Sequence, residues 1–147
     1  QAAAAAVLVT ACCMGLSCAD YALPDASFSM LDVGQGQCLV SRSGKSVSMI
    51  DCGGQEDASG ETAARFLLAR GVTQVDRLIL THDDADHCNG VRQLLRRVQV
   101  GTILLPAGTQ TNAVRAQLLL AAAQAGVPVR DSRTARAPSG LITAPRR

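Results

Sequence analysis

Aromatic side chains are nearly absent: one Tyr, two Phe and no Trp in 147 residues. A stacking platform for bare nucleic-acid bases needs several exposed rings, so that mode of binding is excluded. Matched CxxC pairs are also missing, which excludes a structural zinc knuckle. Of six cysteines, Cys12, Cys13 and Cys18 sit in an apolar N-terminal run, and Cys38, Cys52 and Cys88 are scattered. That spacing resembles no small disulfide framework and reads as small buried hydrophobes. Histidine occurs only twice, at His82 and His87. With 48% hydrophobic and 18% charged residues, the chain is not a disordered polar tail.

Net charge is +2, but it is unevenly spread. Residues 19–90 carry eleven acids against five bases, whereas nine Arg and one acid, Asp131, follow from Val91. An acidic half is either a solvated face or a set of cation ligands; a sparse scatter of Arg serves solubility or attracts phosphate. Position 1 is Gln, so the chain is expected to start inside a longer reading frame or after processing, and is read as a fragment.

Residues 2–19, AAAAAVLVTACCMGLSCA, contain no charge. Eighteen helical residues span about 27 Å, close to the roughly 30 Å of a hydrocarbon core. The end of a transmembrane helix is the favoured reading. The absence of a basic region before the run counts against the apolar part of a signal peptide, but Val9-Thr10-Ala11-Cys12 looks like a lipoprotein cleavage site and keeps that reading open, beside a buried Ala-rich helix. Residues 20–26, with Pro24, form a linker.

Beyond the linker the pattern is that of an α/β fold. Alternation predicts strands over Ser27–Val33 and Gln37–Ser41, a turn at Gly34-Gln35-Gly36, and a hairpin into Val47–Asp51. Glu61–Arg70 is an amphipathic helix stopped by Gly71. A buried strand Val75–Leu80, a loop Thr81–Gly90, a helix Val91–Arg97, a strand Val100–Leu105, a helix Thr111–Ala125 and a short strand near Val127–Arg130 follow. An antiparallel start and strand–helix alternation imply a mixed sheet with flanking helices over residues 27–130. Residues 131–147 are expected to be poorly ordered.

The loop Thr81-His82-Asp83-Asp84-Ala85-Asp86-His87-Cys88-Asn89-Gly90 gathers both histidines and three carboxylates into six positions after a buried strand. Side chains so crowded repel or stay solvated unless a cation joins them, and two divalent ions about 3.5–4 Å apart would satisfy them. A merely solvated acidic loop does not require both histidines of the chain. Gly34-Gln35-Gly36 lacks the helix and Lys of a nucleotide-binding loop, and Gly44-Lys45-Ser46 lacks its first Gly and is flanked by strands.

The HxDxDH string at His82–His87 resembles the metal motif of the metallo-β-lactamase superfamily, in a variant with Asp84 where many members have His. Met49-Ile50-Asp51-Cys52-Gly53-Gly54 is similar to the Asp-x-Gly strand end of that superfamily. Leu31-Asp32-Val33-Gly34-Gln35-Gly36-Gln37 resembles the DVGQG signature of ComEC-type DNA-uptake proteins. The resemblance covers residues 27–130 and implies part of an αββα sandwich that follows a transmembrane segment. It implies two divalent metal ions, Zn or Mn, with His82 and Asp84 on the first and Asp86 and His87 on the second. Asp86 would also pass the proton of the attacking water, and Asp51 and Asp32 would stand behind the ligands as orienting groups. Asp84 makes the site harder than an all-His one, so activity with Mn²⁺ is expected to exceed that with Zn²⁺. Asp83 has no ligand role and is expected to be solvated; Cys88 is not expected to be a ligand.

The same resemblance implies a phosphodiesterase or nuclease acting on the DNA strand that is not imported. The domain would lie outside the cytoplasm on a bacterial cell membrane, anchored through residues 2–19, with DNA and other competence proteins as partners. The superfamily also uses a third His, a bridging Asp and a last His, and this sequence has no histidine after His87. The piece is therefore expected to be a poor enzyme alone. Two other readings stay open: a stand-alone extracytoplasmic hydrolase, and an inactive module that binds DNA or a partner.

Overall fold

The computed structural model describes residues 26–54, 58–106 and 112–133. The proposed membrane segment, residues 2–19, lies outside them. Among the described residues no helix is long and apolar enough to cross a membrane.

Six strands form one sheet in the order β1 (Ala26–Met30), β2 (Leu39–Ser43), β3 (Ser46–Ile50), β4 (Gln74–Ile79), β5 (Gln99–Leu105), β6 (Val129–Asp131). The first three pair antiparallel through short connections. From β3 onward pairing is parallel, because each connection carries a helix that returns the chain to the same end of the sheet. The crossovers hold α1 (Ala58–Leu68), then α2 (Ala85–Cys88) with α3 (Val91–Leu95), and finally α4 (Ala113–Gln124). This is the mixed α/β sheet expected from the alternation.

Register explains where the core sits. Val40, Met49, Leu78 and Ile103 form one row across the sheet, and Met49, Leu78 and Ile103 are fully buried. They join Ala63, Leu67, Leu94 and Leu118 from the helices in one apolar cluster. The adjacent row, on the opposite face, is Met30, Leu39, Ile50, Ile79 and Leu104. There Met30 is 73% and its neighbour Phe28 62% exposed. The described residues thus hold one sheet and one helical layer of the expected sandwich.

Several boundaries differ from the sequence reading. Pairing of Ala26 with Ser43 starts β1 inside the expected linker, and β6 takes in Asp131, assigned above to the tail. Leu31 leaves β1 but still donates to the Cys38 carbonyl and stays buried. The loop Thr81–Gly90 contains the single helical turn α2, because the Asp84 carbonyl accepts from both the His87 and Cys88 N–H groups. Strand β4 is less apolar in its setting than expected, with Ile79 only half-buried.

Candidate metal centre

In a parallel sheet the loops at the carboxyl ends of the strands gather at one end, where ligands of open α/β folds bind. Here those loops are Asp51–Gly54 after β3, Leu80–Gly90 after β4 and Pro106 after β5. A groove of about 520 Å³ opens elsewhere, lined by Thr73, Arg97, Gln99 and Gly126 among others, and carries none of the candidate donors.

Asp51 is the pivot. It is fully buried and takes a positive φ of 57°, a conformation that Asp tolerates better than most side chains. Its Oδ1 accepts from the Thr81 N–H at 2.7 Å, and its Oδ2 from the Thr81 hydroxyl at 2.7 Å. Oδ2 also lies 2.9 Å from His87 Nδ1. A carboxylate only accepts, so His87 carries its proton on Nδ1 and leaves the Nε2 lone pair free. The Thr81 hydroxyl gives its hydrogen to Asp51, so at 3.1 Å it accepts from His82 Nδ1–H. Both imidazoles are thereby set in the tautomer that offers Nε2, with ring centroids 5.0 Å apart.

The hydrogen bond that His87 Nδ1–H donates to Asp51 holds the imidazole above its ordinary value; burial opposes this, while the Asp51, Asp86 and Asp84 charges add to it. His87 Nε2 lies 3.6 Å from Asp86 Oδ2, on the same turn of α2. Asp84 precedes that turn with an extended backbone and no side-chain cap bond, and its side chain is exposed. The six-residue motif therefore splits: His82 and Asp84 lie on the non-helical segment that leads into α2, and Asp86 and His87 on the turn itself.

The backbone beneath is drawn together closely. The Cys52 N–H donates to the His87 carbonyl at 2.9 Å, Gly90 N–H to the Cys52 carbonyl at 2.9 Å, and Gln37 N–H to the Asp86 carbonyl at 3.1 Å. A Cβ on Gly53 would overlap the Asp86 carbonyl and the His87 nitrogen. The Gly34–Gly36 turn is thus a support for the loop that carries the donors. Asp32, proposed as an orienting group, accepts from its own turn's Gly34 N–H at 3.3 Å. That is its hydrogen bond among the described residues.

Three residues escaped the sequence reading. Asn89 accepts from the Gly54 N–H at 3.0 Å and the Ser59 hydroxyl at 3.3 Å, and donates to the Gly54 carbonyl at 2.6 Å. Arg115 and Asn112, from the start of α4, reach Asp83. Asp83 is therefore an ion-pair partner and not a solvated acid. No local pattern betrays contacts across about thirty positions.

Cys38, Cys52 and Cys88 are buried free thiols, as expected. The Cys88 thiol donates to the His82 carbonyl at 3.1 Å, and burial, with nearby acids, pushes it up to about 12. A hydrogen bond with Cys38, together with burial, raises Cys52 well above its ordinary value. Thiolate is the reactive form of Cys52 and Cys88, and all three sulfurs are shielded by burial, so iodoacetamide at pH 8 should leave all three unlabelled in the folded protein and label them in urea. Peptide mass mapping checks this, and rapid modification of Cys88 in the native state would contradict it.

The donor chemistry suits a divalent cation: two imidazoles presenting Nε2, flanking carboxylates, and a buried carboxylate behind His87. The geometry is less complete. Among the described residues no group of three or more His, Cys, Asp or Glu side chains is gathered closely enough to hold a metal ion.

Comparison with known proteins bears on this arrangement. The family model described as "Metallo-beta-lactamase superfamily" matches residues 31–127. The ComE operon protein 3 of Bacillus subtilis (strain 168) is 30% identical across 69% of this chain, which spans 15% of that relative's length. A crystal structure titled as a new diphosphatase from the PhnP family superposes with a TM-score of 0.42 and 17% identity. That alignment covers 72% of this chain and 50% of the other.

Proposed function

From a chain that belongs to the metallo-β-lactamase superfamily, we propose that residues 27–130 form part of a metal-dependent hydrolase domain, with His82, Asp84, Asp86 and His87 as metal ligands. The observation that carries the reading is the bond from His87 Nδ1 to the buried Asp51, which aims Nε2 toward the side where Asp86 stands. Histidine ligands commonly hold their second nitrogen on a carboxylate in this way. A tight site needs His82 and Asp84 to draw in toward that pair, or further donors from outside the described residues. The cofactors proposed are two divalent ions, Zn or Mn, with the hard Asp84 favouring Mn. Such ions supply Lewis-acid activation of water and of the attacked oxygen.

The chain's own groups do the rest. Asp51 and Thr81 hold both imidazoles in one tautomer, and the exposed Asp86 carboxylate is placed to take a proton beside His87. Asp32 is proposed to support the Gly34–Gly36 turn beneath them. For substrate, the similarity to ComE operon protein 3 supports a phosphodiester of DNA, cleaved in the course of uptake. Attachment to a bacterial membrane through residues 2–19, an extracytoplasmic location and other competence proteins as partners belong to the same proposal.

Titration calorimetry of the purified chain with Mn²⁺ and Zn²⁺ tests the site. Binding should weaken at least about tenfold in His87→Ala and Asp86→Ala. Turnover of a phosphodiester such as bis(p-nitrophenyl) phosphate should be low but metal-stimulated, and lost in Asp86→Ala. Unaltered metal binding in both variants would defeat the assignment. DNA binding without metal-stimulated cleavage would instead favour an inactive binding module.

A further inference from the structure

Asp83 lies between two proposed donors, His82 and Asp84, both exposed. It is gripped from outside the loop at two points. Arg115 Nη1 donates to its Oδ2 at 3.2 Å, and the Asn112 side-chain amide donates to its main-chain carbonyl at 3.4 Å. The same Arg115 nitrogen also donates to the Pro106 carbonyl at 3.1 Å. Asn112 is in turn the N-cap of α4, its Oδ1 accepting from the Arg115 N–H at 2.7 Å. One guanidinium therefore joins the loop after β4, the end of β5 and the first turn of α4.

This pair differs from an ordinary surface ion pair. The Arg115 and Asp83 side chains are only 17% and 27% exposed, so solvent screens them less than it screens a pair at the surface. Its attachment point matters more. His87 is fixed from below by Asp51, and Asn89 is tied to Gly54. The segment bearing His82 and Asp84 is held on its inner side through main-chain carbonyls, by the Cys88 thiol at His82 and the α2 N–H groups at Asp84, and the Asp83 side chain between them is held by this latch.

We infer that Arg115 and Asn112 are positioning residues, which set the direction of His82 and Asp84 by holding Asp83. The inference rests on the proposed metal site, but the latch can be measured without metal. In metal-free Arg115→Ala, backbone order parameters from ¹⁵N relaxation should fall at residues 82–84 toward about 0.6, while residues 87–90 stay near 0.85. Asp83→Ala, which leaves α4 untouched, should give the same local pattern. Zn²⁺ affinity should drop about tenfold in either variant, the usual consequence of losing a group that orients ligands. Arg115→Lys keeps the charge but not the planar fork, and should fall between Ala and wild type.

A melting temperature alone would report only that α4 had lost support; local disorder with weakened Zn²⁺ binding reports positioning. Wild-type order parameters at 82–84 in both Ala variants would overturn the latch. A wild-type chain that binds neither Zn²⁺ nor Mn²⁺ would overturn the metal site, and the relaxation data would still decide the latch.

Discussion

Asp51→Ala should be the most damaging single side-chain truncation at the site, costing on the order of 3 kcal/mol of unfolding free energy. The carboxylate is fully buried and accepts from Thr81 N–H, the Thr81 hydroxyl and His87 Nδ1–H. Truncation leaves three donors facing a void from which water is excluded, and each orphaned donor costs about 1–3 kcal/mol, partly relieved by relaxation. It also places Ala at a φ of 57°, which adds roughly 1 kcal/mol. Asp51→Asn separates these contributions. Asn accepts the positive φ and the volume, but one acceptor becomes an NH₂ facing existing donors. It should therefore lose about 1–2 kcal/mol. Urea denaturation measures both. A loss below about 1 kcal/mol in Asp51→Ala would mean that the carboxylate does not organise the end of the sheet.

Gly53→Ala should cost about 3 kcal/mol, although a single methyl is added on an ordinary backbone. Gly53 does not have a positive φ. Its substitution is forbidden by packing alone, because the new Cβ meets the Asp86 carbonyl and the His87 nitrogen. Main-chain atoms cannot swing aside as the end of a flexible side chain can, so the α2 turn must move and carry Asp86 and His87 with it. Gly44→Ala is the opposite control. Gly44 has a φ of 57° and nothing within 4 Å of the added methyl, so only backbone strain of about 1 kcal/mol applies. If the two substitutions destabilise equally in denaturant titrations, the close approach of the two loops is not a constraint. Metal affinity, read in parallel, should fall for Gly53→Ala and not for Gly44→Ala.

Element order, strand–helix alternation and the switch from antiparallel to parallel pairing were legible in the sequence. Those features follow from local hydrophobic period and from connection length, and both are properties of short windows. The candidate donors were legible for the same reason: His82, Asp84, Asp86 and His87 lie within six positions of one loop. The role of Asp51 as an orienting group was legible only through a motif resemblance. That Asp83 would be solvated was the natural reading of a charged loop residue, and it failed because its partner lies thirty-two positions away.

By itself the sequence determined which residue types could donate to a metal, which segments are strands or helices, and that the candidate donors follow a strand. Only the tertiary structure decided how those donors are presented. Parallel pairing of β3, β4 and β5 brings Asp51, Thr81 and Pro106 to one end of the sheet. There a buried carboxylate selects the tautomer of His87 and, through Thr81, that of His82, while α4 reaches back to Asp83. Hydrogen bonds between segments thirty residues apart depend on register and packing, which no local pattern encodes.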